Sequence, residues 1–245
     1  ISEQEFRIFT LKALDGTKRA GIDEIKDLWG NPVIPATETL GEVLKKVDTF
    51  LEYTGIAYTD LISLLSTRFL NPNFPINAYL QTFSKDDRKK WLAAHGKEDA
   101  AVSQVIELGS DDPVHPCDLS RTFIQHLDAT PLTDDKDKEL SHFNRFIRLW
   151  KKLGCTISEL DGLLAAMKAK DITPQVIQEL SIVWQVQQRL DLSLERMAVL
   201  IGNIPSAGED SLFAKLFLNK AMLQILKSNP TFDLNLMQDE LENNS

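Results

Sequence analysis

Apolar residues recur at helical spacing over most of this chain. Phe143, Phe146, Ile147, Trp150 and Leu153 fall at i, i+3, i+4, i+7 and i+10, one stripe of an α-helix. Leu40, Val43, Leu44, Val47, Phe50 and Leu51 form a second stripe behind Thr39 and Glu42, a capping box that satisfies free N–H groups at a helix start. Ser2 and Glu5 make another box ahead of Phe6, Phe9 and Leu14, with Ile8 and Leu11 beside them, and Gly16 ends that run. A short helix is predicted over Ile22 to Trp29, stopped by Gly30-Asn31-Pro32. Leu61, Ile62, Leu64, Leu65 and Phe69 form the next, ending at Asn71-Pro72 because proline disfavours helical geometry in the residue before it. Thr156 and Glu159 cap a helix over Leu160 to Met167. Pro174 stands at a first helical position, where its missing N–H costs nothing, and Val176, Ile177, Leu180, Val183, Trp184 and Leu190 continue the stripe. Leu192 to Ile201 is the following helix, closed by Gly202 and Pro205, and Leu212, Phe213, Leu216 and Phe217 begin one that runs to Leu226.

Between Asn71 and Thr133 the pattern weakens, broken by prolines at 72, 75, 113, 116 and 131. Short helices are predicted at Ser84–His95 and at Glu98–Leu108, the second stopped by Gly109. Thr122 to Leu127 has the β-branched and aromatic content of a short strand or an extended arm.

One phrase occurs three times. Gly55 to Leu65 aligns without gaps on Gly154 to Leu164 and on Asp191 to Ile201. The first residue of each copy closes one helix. Ala57, Thr156 or Ser193, two positions later, starts the next, and the residues at offsets 6, 9 and 10 point back at the first helix. The second and third copies begin 37 residues apart (154 to 191), near the period of a helix-hairpin repeat. The first and second begin 99 residues apart (55 to 154), so the irregular middle reads as an insertion. Repeated hairpins stack because no single unit buries its own apolar face.

Three stretches, Tyr58 to Pro72, Arg145 to Asp161 and Ile204 to Asn219, resemble the A component of bacterial Tc (toxin complex) insecticidal toxins and their virulence-plasmid relatives. The residues that carry the likeness are Arg68, Phe69, Asn71 and Pro72; Arg145, Phe146, Arg148, Leu149, Trp150, Leu153, Gly154, Glu159 and Leu160; and Leu212, Leu216, Phe217 and Asn219. The stretches follow in the family's order and span about two thirds of the chain from first to last. Cys155, where the family often has an aromatic, and Lys220, where it often has a proline, mark a divergent member. In that family such segments belong to a large α-helical shell around a central translocation channel, in a pentamer of very long chains. The shell protects the channel and opens to let it enter a host membrane. The resemblance implies a structural segment with no catalytic residues and no cofactor. Its implied partners are other domains of the same long chain, neighbouring protomers and a host-surface receptor, and it implies a place outside the cell as part of a toxin complex.

Charge narrows the picture. A formal net charge of −9 argues against nucleic acid as the main partner, because phosphate binding needs a basic footprint. It argues equally against docking on anionic lipid. No apolar run approaches the ~18 residues of a membrane span. The acidic, polar N-terminus from Ile1 is no signal peptide and lacks an initiator methionine, so the chain reads as cut from something longer. Thirty-six acids against twenty-seven bases make protonation a candidate trigger for shell opening.

The reactive side chains are scattered. His115 and Cys117 are near-neighbours, with His126 and His142 downstream, but zinc calls for tighter pairs, and neither Cys117 nor Cys155 stands in a protease signature. Both cysteines read as unpaired, partly buried thiols. Asp86-Asp87, Asp111-Asp112 and Asp134-Asp135 read as helix-start charge and solvation. Arg145, Arg148, Lys151 and Lys152 read as the outer, solvated face of their helix, or as a contact for an acidic neighbouring domain. Trp150 and Trp184 read as core, Trp29 and Trp91 as partly exposed.

The expected fold class is all-α, an irregular stack of helical hairpins with a less regular central insertion. Residues 1–72 hold the first hairpin repeat, 73–133 the insertion and 134–245 the later repeats, in one continuous folded unit. The alternative to the toxin-shell role is a stand-alone helical-repeat module that binds another protein.

Overall fold

The computed structural model describes residues 2–11, 26–76, 80–81, 83–94, 102–111, 118–127, 131–132 and 139–202. Among the described residues the fold is mostly helical, with two small sheets. The elements are α1 (Glu3–Thr10), α2 (Leu40–Lys45), α3 (Val47–Thr54), α4 (Tyr58–Leu65), β1 (Asn73–Pro75), α5 (Lys85–Ala94), β2 (Val102–Gln104), β3 (Ile106–Ser110), β4 (Thr122–His126), α6 (Glu139–Leu153), α7 (Ile157–Ala166), α8 (Pro174–Leu190) and α9 (Leu194–Ile201). The expected features of Gly16, Leu14, Cys117, His115, Leu212, Leu216, Phe217 and Asn219 lie outside the described residues. Among the described residues no helix is long and apolar enough to cross a membrane.

Local chemistry starts the helices where expected. Ser2 and Thr39 each accept the backbone N–H three residues on (3.2 Å in both), while Glu5 and Glu42 reach back to the cap amide. Thr156 and Glu159 repeat the exchange ahead of α7. The first residues of the three repeat copies share one backbone state, with φ of +59° at Gly55, +68° at Gly154 and +49° at Asp191. Glycine enters this left-handed region without a β-carbon penalty, and aspartate is among the few other residues that tolerate it. At offset 6, Leu61, Leu160 and Met197 are all buried. At offsets 9 and 10 the copies diverge: Leu64, Leu65, Leu163 and Leu164 are buried, whereas Leu200 and Ile201 are exposed.

Other expectations give way, and the helix expected to run to Phe69 ends at Leu65. The stripe from Leu40 to Leu51 is two helices, because Lys46 has extended backbone (ψ 126°) and forms an isolated bridge with Phe123. The helix expected at Glu98–Leu108 is instead β2 and β3, with residues 98–101 outside the described set. β3 pairs antiparallel with β4, setting Leu108 opposite Ile124 and Ile106 opposite His126, so a partner strand overrides the weak local helical pattern. β1 pairs with β2 through Asn73–Gln104 to Pro75–Val102. The first helix ends at Thr10, with Leu11 left-handed at φ +49°; of the helix expected over Ile22 to Trp29, residues 26–28 are helical and 22–25 lie outside the described residues. Trp29 is buried, its ring 5.4 Å from Phe50, which meets Phe143 edge-on at 6.0 Å. The strand reading of Thr122–Leu127 and the helix reading of Ser84–His95 match β4 and α5.

Two compact units emerge: residues 1–161 with 169–177, and residues 162–168 with 178–245. α7 and α8 each run from the first into the second. The first unit's core gathers Trp29, Leu44, Phe50, Leu61, Leu64, Phe143, Phe146 and Leu149. In the second, Leu163, Leu164, Leu180, Val183, Leu194 and Met197 are buried, and a β-carbon on Gly202 would stand 2.8 Å from the backbone of Ala166.

Candidate functional site

A dense polar cluster of the first unit is built on α6. Its apolar stripe turns inward, and Arg145 goes with it: the side chain is wholly buried, against the expectation of an outer face. A guanidinium taken out of water needs a counter-charge and several acceptors. Arg145 Nε donates to the Ser141 carbonyl (3.2 Å), and Nη1 donates to the carbonyls of Phe9 (3.1 Å) and Ile172 (3.4 Å). Nη1 also lies 2.7 Å from Asp171 Oδ1, while Nη2 is buried without a hydrogen-bond partner. One side chain thus joins α1, α6 and the loop ahead of α8.

Asp171 is where the ties meet. The same Oδ1 accepts the Ile172 N–H (2.7 Å) and faces His142 Nε2 at 3.1 Å. Burial raises the affinity of this carboxyl for a proton, but the His142 hydrogen bond and the Arg145 charge outweigh it and hold Asp171 well below the usual carboxylate range. The His142 ring stacks on Phe69 (5.6 Å), and Phe69 stacks on Phe146 (5.8 Å).

Phe69 leads to a second tie. Asp161 on α7 accepts the backbone N–H groups of Arg68 (3.1 Å) and Phe69 (2.9 Å), in the turn that leaves α4. Burial pushes its carboxyl up, against the pull of those two N–H groups. Asn71, next in the turn, is fully buried and uses its whole amide. Nδ2 donates to the carbonyls of Leu65 (2.9 Å) and Ile106 (2.8 Å), and Oδ1 accepts from the N–H groups of Val105 (3.1 Å) and Ile106 (3.0 Å). Asn71 therefore fastens the end of the first hairpin to β3, and exposed Pro72 leads the chain into β1.

The remaining basic residues of α6 are also engaged. Arg148 donates to Asn144 Oδ1 (2.7 Å) and the Leu28 carbonyl (2.6 Å), anchoring the turn that carries Trp29. Lys151 Nζ caps α3 through the carbonyls of Thr54 (2.8 Å) and Gly55 (2.9 Å). Lys152 meets Glu5 at 2.8 Å, and that hydrogen bond, with the Ser2 amide, lowers the Glu5 carboxyl to about 2. Leu149 and Leu160 are buried core, half-buried Leu153 precedes the left-handed Gly154, and Trp150 donates from Nε1 to the Cys155 carbonyl (2.8 Å). Cys155 is partly buried, and burial pushes its thiol up to about 11.

Other candidate residues stay apart. His126 pairs with Glu139 at 2.7 Å. Among the described residues no three His, Cys, Asp or Glu side chains converge as metal ligands would. Asp86 and Asp87 lie in the first turn of α5, and Asp111 sits 3.6 Å from Arg121. Residues 112, 134 and 135 are outside the described set.

The sequence pattern groups Arg145 with its basic neighbours and misses Asp171 as its partner, His142 as the second partner of Asp171, and Asn144 as the partner of Arg148. The signal for Arg145 was its position: it lies between Phe143 and Phe146, whose stripe is broad enough to take it in. Asp171 gave no local signal, because His142 and Arg145 stand on α6, far from it in sequence. The chain matches no protein-family model, no curated protein and no solved structure.

Proposed function

We propose that this chain is a non-catalytic, architectural segment of the α-helical shell of a Tc-type toxin A component, which protects a translocation channel and helps deploy it. One observation carries the reading: two of the three stretches that bear the resemblance meet face to face. The turn after the first hairpin is held by Asp161 through the Arg68 and Phe69 amides, and Phe69 stacks on Phe146. Arg68, Phe69, Arg145 and Phe146 then serve to lock one hairpin onto the next, and Asn71 fastens the first hairpin to β3, as a scaffold requires. The partners of such a segment are other domains of the same chain and neighbouring protomers, with a host-surface receptor reached by the assembled particle.

The test is the length of the native polypeptide, probed in source extract on a denaturing gel with antiserum to this chain. The shell reading expects a band many times heavier than 27.6 kDa. A band near that mass would overturn it and leave a free-standing helical-repeat module that binds another protein.

A further inference from the structure

We draw no further inference here: the strongest candidate, the exposed apolar side chains Ile182 and Leu190 on α8 with Leu200 and Ile201 on α9, carries nothing because no feature of the structure shows what covers them.

Discussion

The middle and the C-terminal end of α6 carry basic residues that look alike in sequence and meet opposite fates. Arg145 is wholly buried, with backbone carbonyls and Asp171 around it. Two turns on, Lys151 and Lys152 are exposed and reach the end of α3 and the Glu5 carboxylate from the solvent side. The chemistry of the two cations explains the division. A planar guanidinium is weakly hydrated and offers five donors to several acceptors at once, whereas an ammonium is strongly hydrated and loses more on burial. A helix face is therefore assigned by what arrives to meet it, and here Asp171 arrives from the loop ahead of α8.

The sharpest way to break this contrast is substitution at each position. Arg145→Ala strands the Phe9 and Ile172 carbonyls and the Asp171 charge. It is expected to cost about 3–4 kcal/mol in urea unfolding, the scale of breaking a buried pair whose other member is partly exposed. Arg145→Met keeps most of the volume and is expected to cost clearly less. Lys151→Ala should cost less than about 1 kcal/mol, as exposed caps do. Equal losses at Arg145 and Lys151 would dissolve the comparison.

Asn71→Ala comes next, at about 2–3 kcal/mol, because it leaves backbone groups of Leu65, Val105 and Ile106 buried without partners. Thermal unfolding measures it, and a loss under about 0.5 kcal/mol would show that the turn and β3 are not fastened there.

Gly162 offers an effect of the opposite sign. It lies inside α7, its φ is not positive, and an added β-carbon would meet nothing within 4 Å. Gly162→Ala is expected to stabilise by about 0.5–1 kcal/mol, the helix-propensity difference. A fall in melting temperature would mean the residue's surroundings are tighter than they stand.

The smallest expected effect is that of mild acid. Asp171 has a depressed folded pKa, so its contribution is present above the unfolded value near 4 and is lost only as pH falls further. Asp161 has a raised folded pKa, so its charged form is the costly one and acid relieves that cost. These two ties therefore do not release between pH 8 and pH 5, and the melting temperature of the first unit should hold or rise across that window. A drop of several degrees would return the excess of acids to the role of trigger.

What was legible follows from range. The capping boxes at Ser2, Thr39 and Thr156, the left-handed positions at Gly55 and Gly154, and the stripe of α6 are local bargains between residues three or four apart, and periodicity shows them. The break at Lys46 and the strands β2 and β3 are not local. Lys46 pairs with Phe123, and β3 needs β4, so a helical window over Glu98–Leu108 saw only half of its determinants. Arg145 was misread for the same reason, since its acceptors lie at Phe9 and Ile172. Trp29 is buried because Phe50 reaches it from α3, itself backed by Phe143 of α6, which the flanking Gly30 and Asn31 did not reveal.

The central claim is that residues bearing the resemblance act as internal ties, and the Arg145–Asp171 pair tests it most directly. Urea unfolding of Arg145→Ala, Asp171→Ala and the double variant gives their coupling. The account predicts a double variant well short of the sum of the single losses, by about 2 kcal/mol or more. Additivity within about 0.5 kcal/mol would contradict it, and Arg145 would have to be explained by its backbone hydrogen bonds and packing without Asp171.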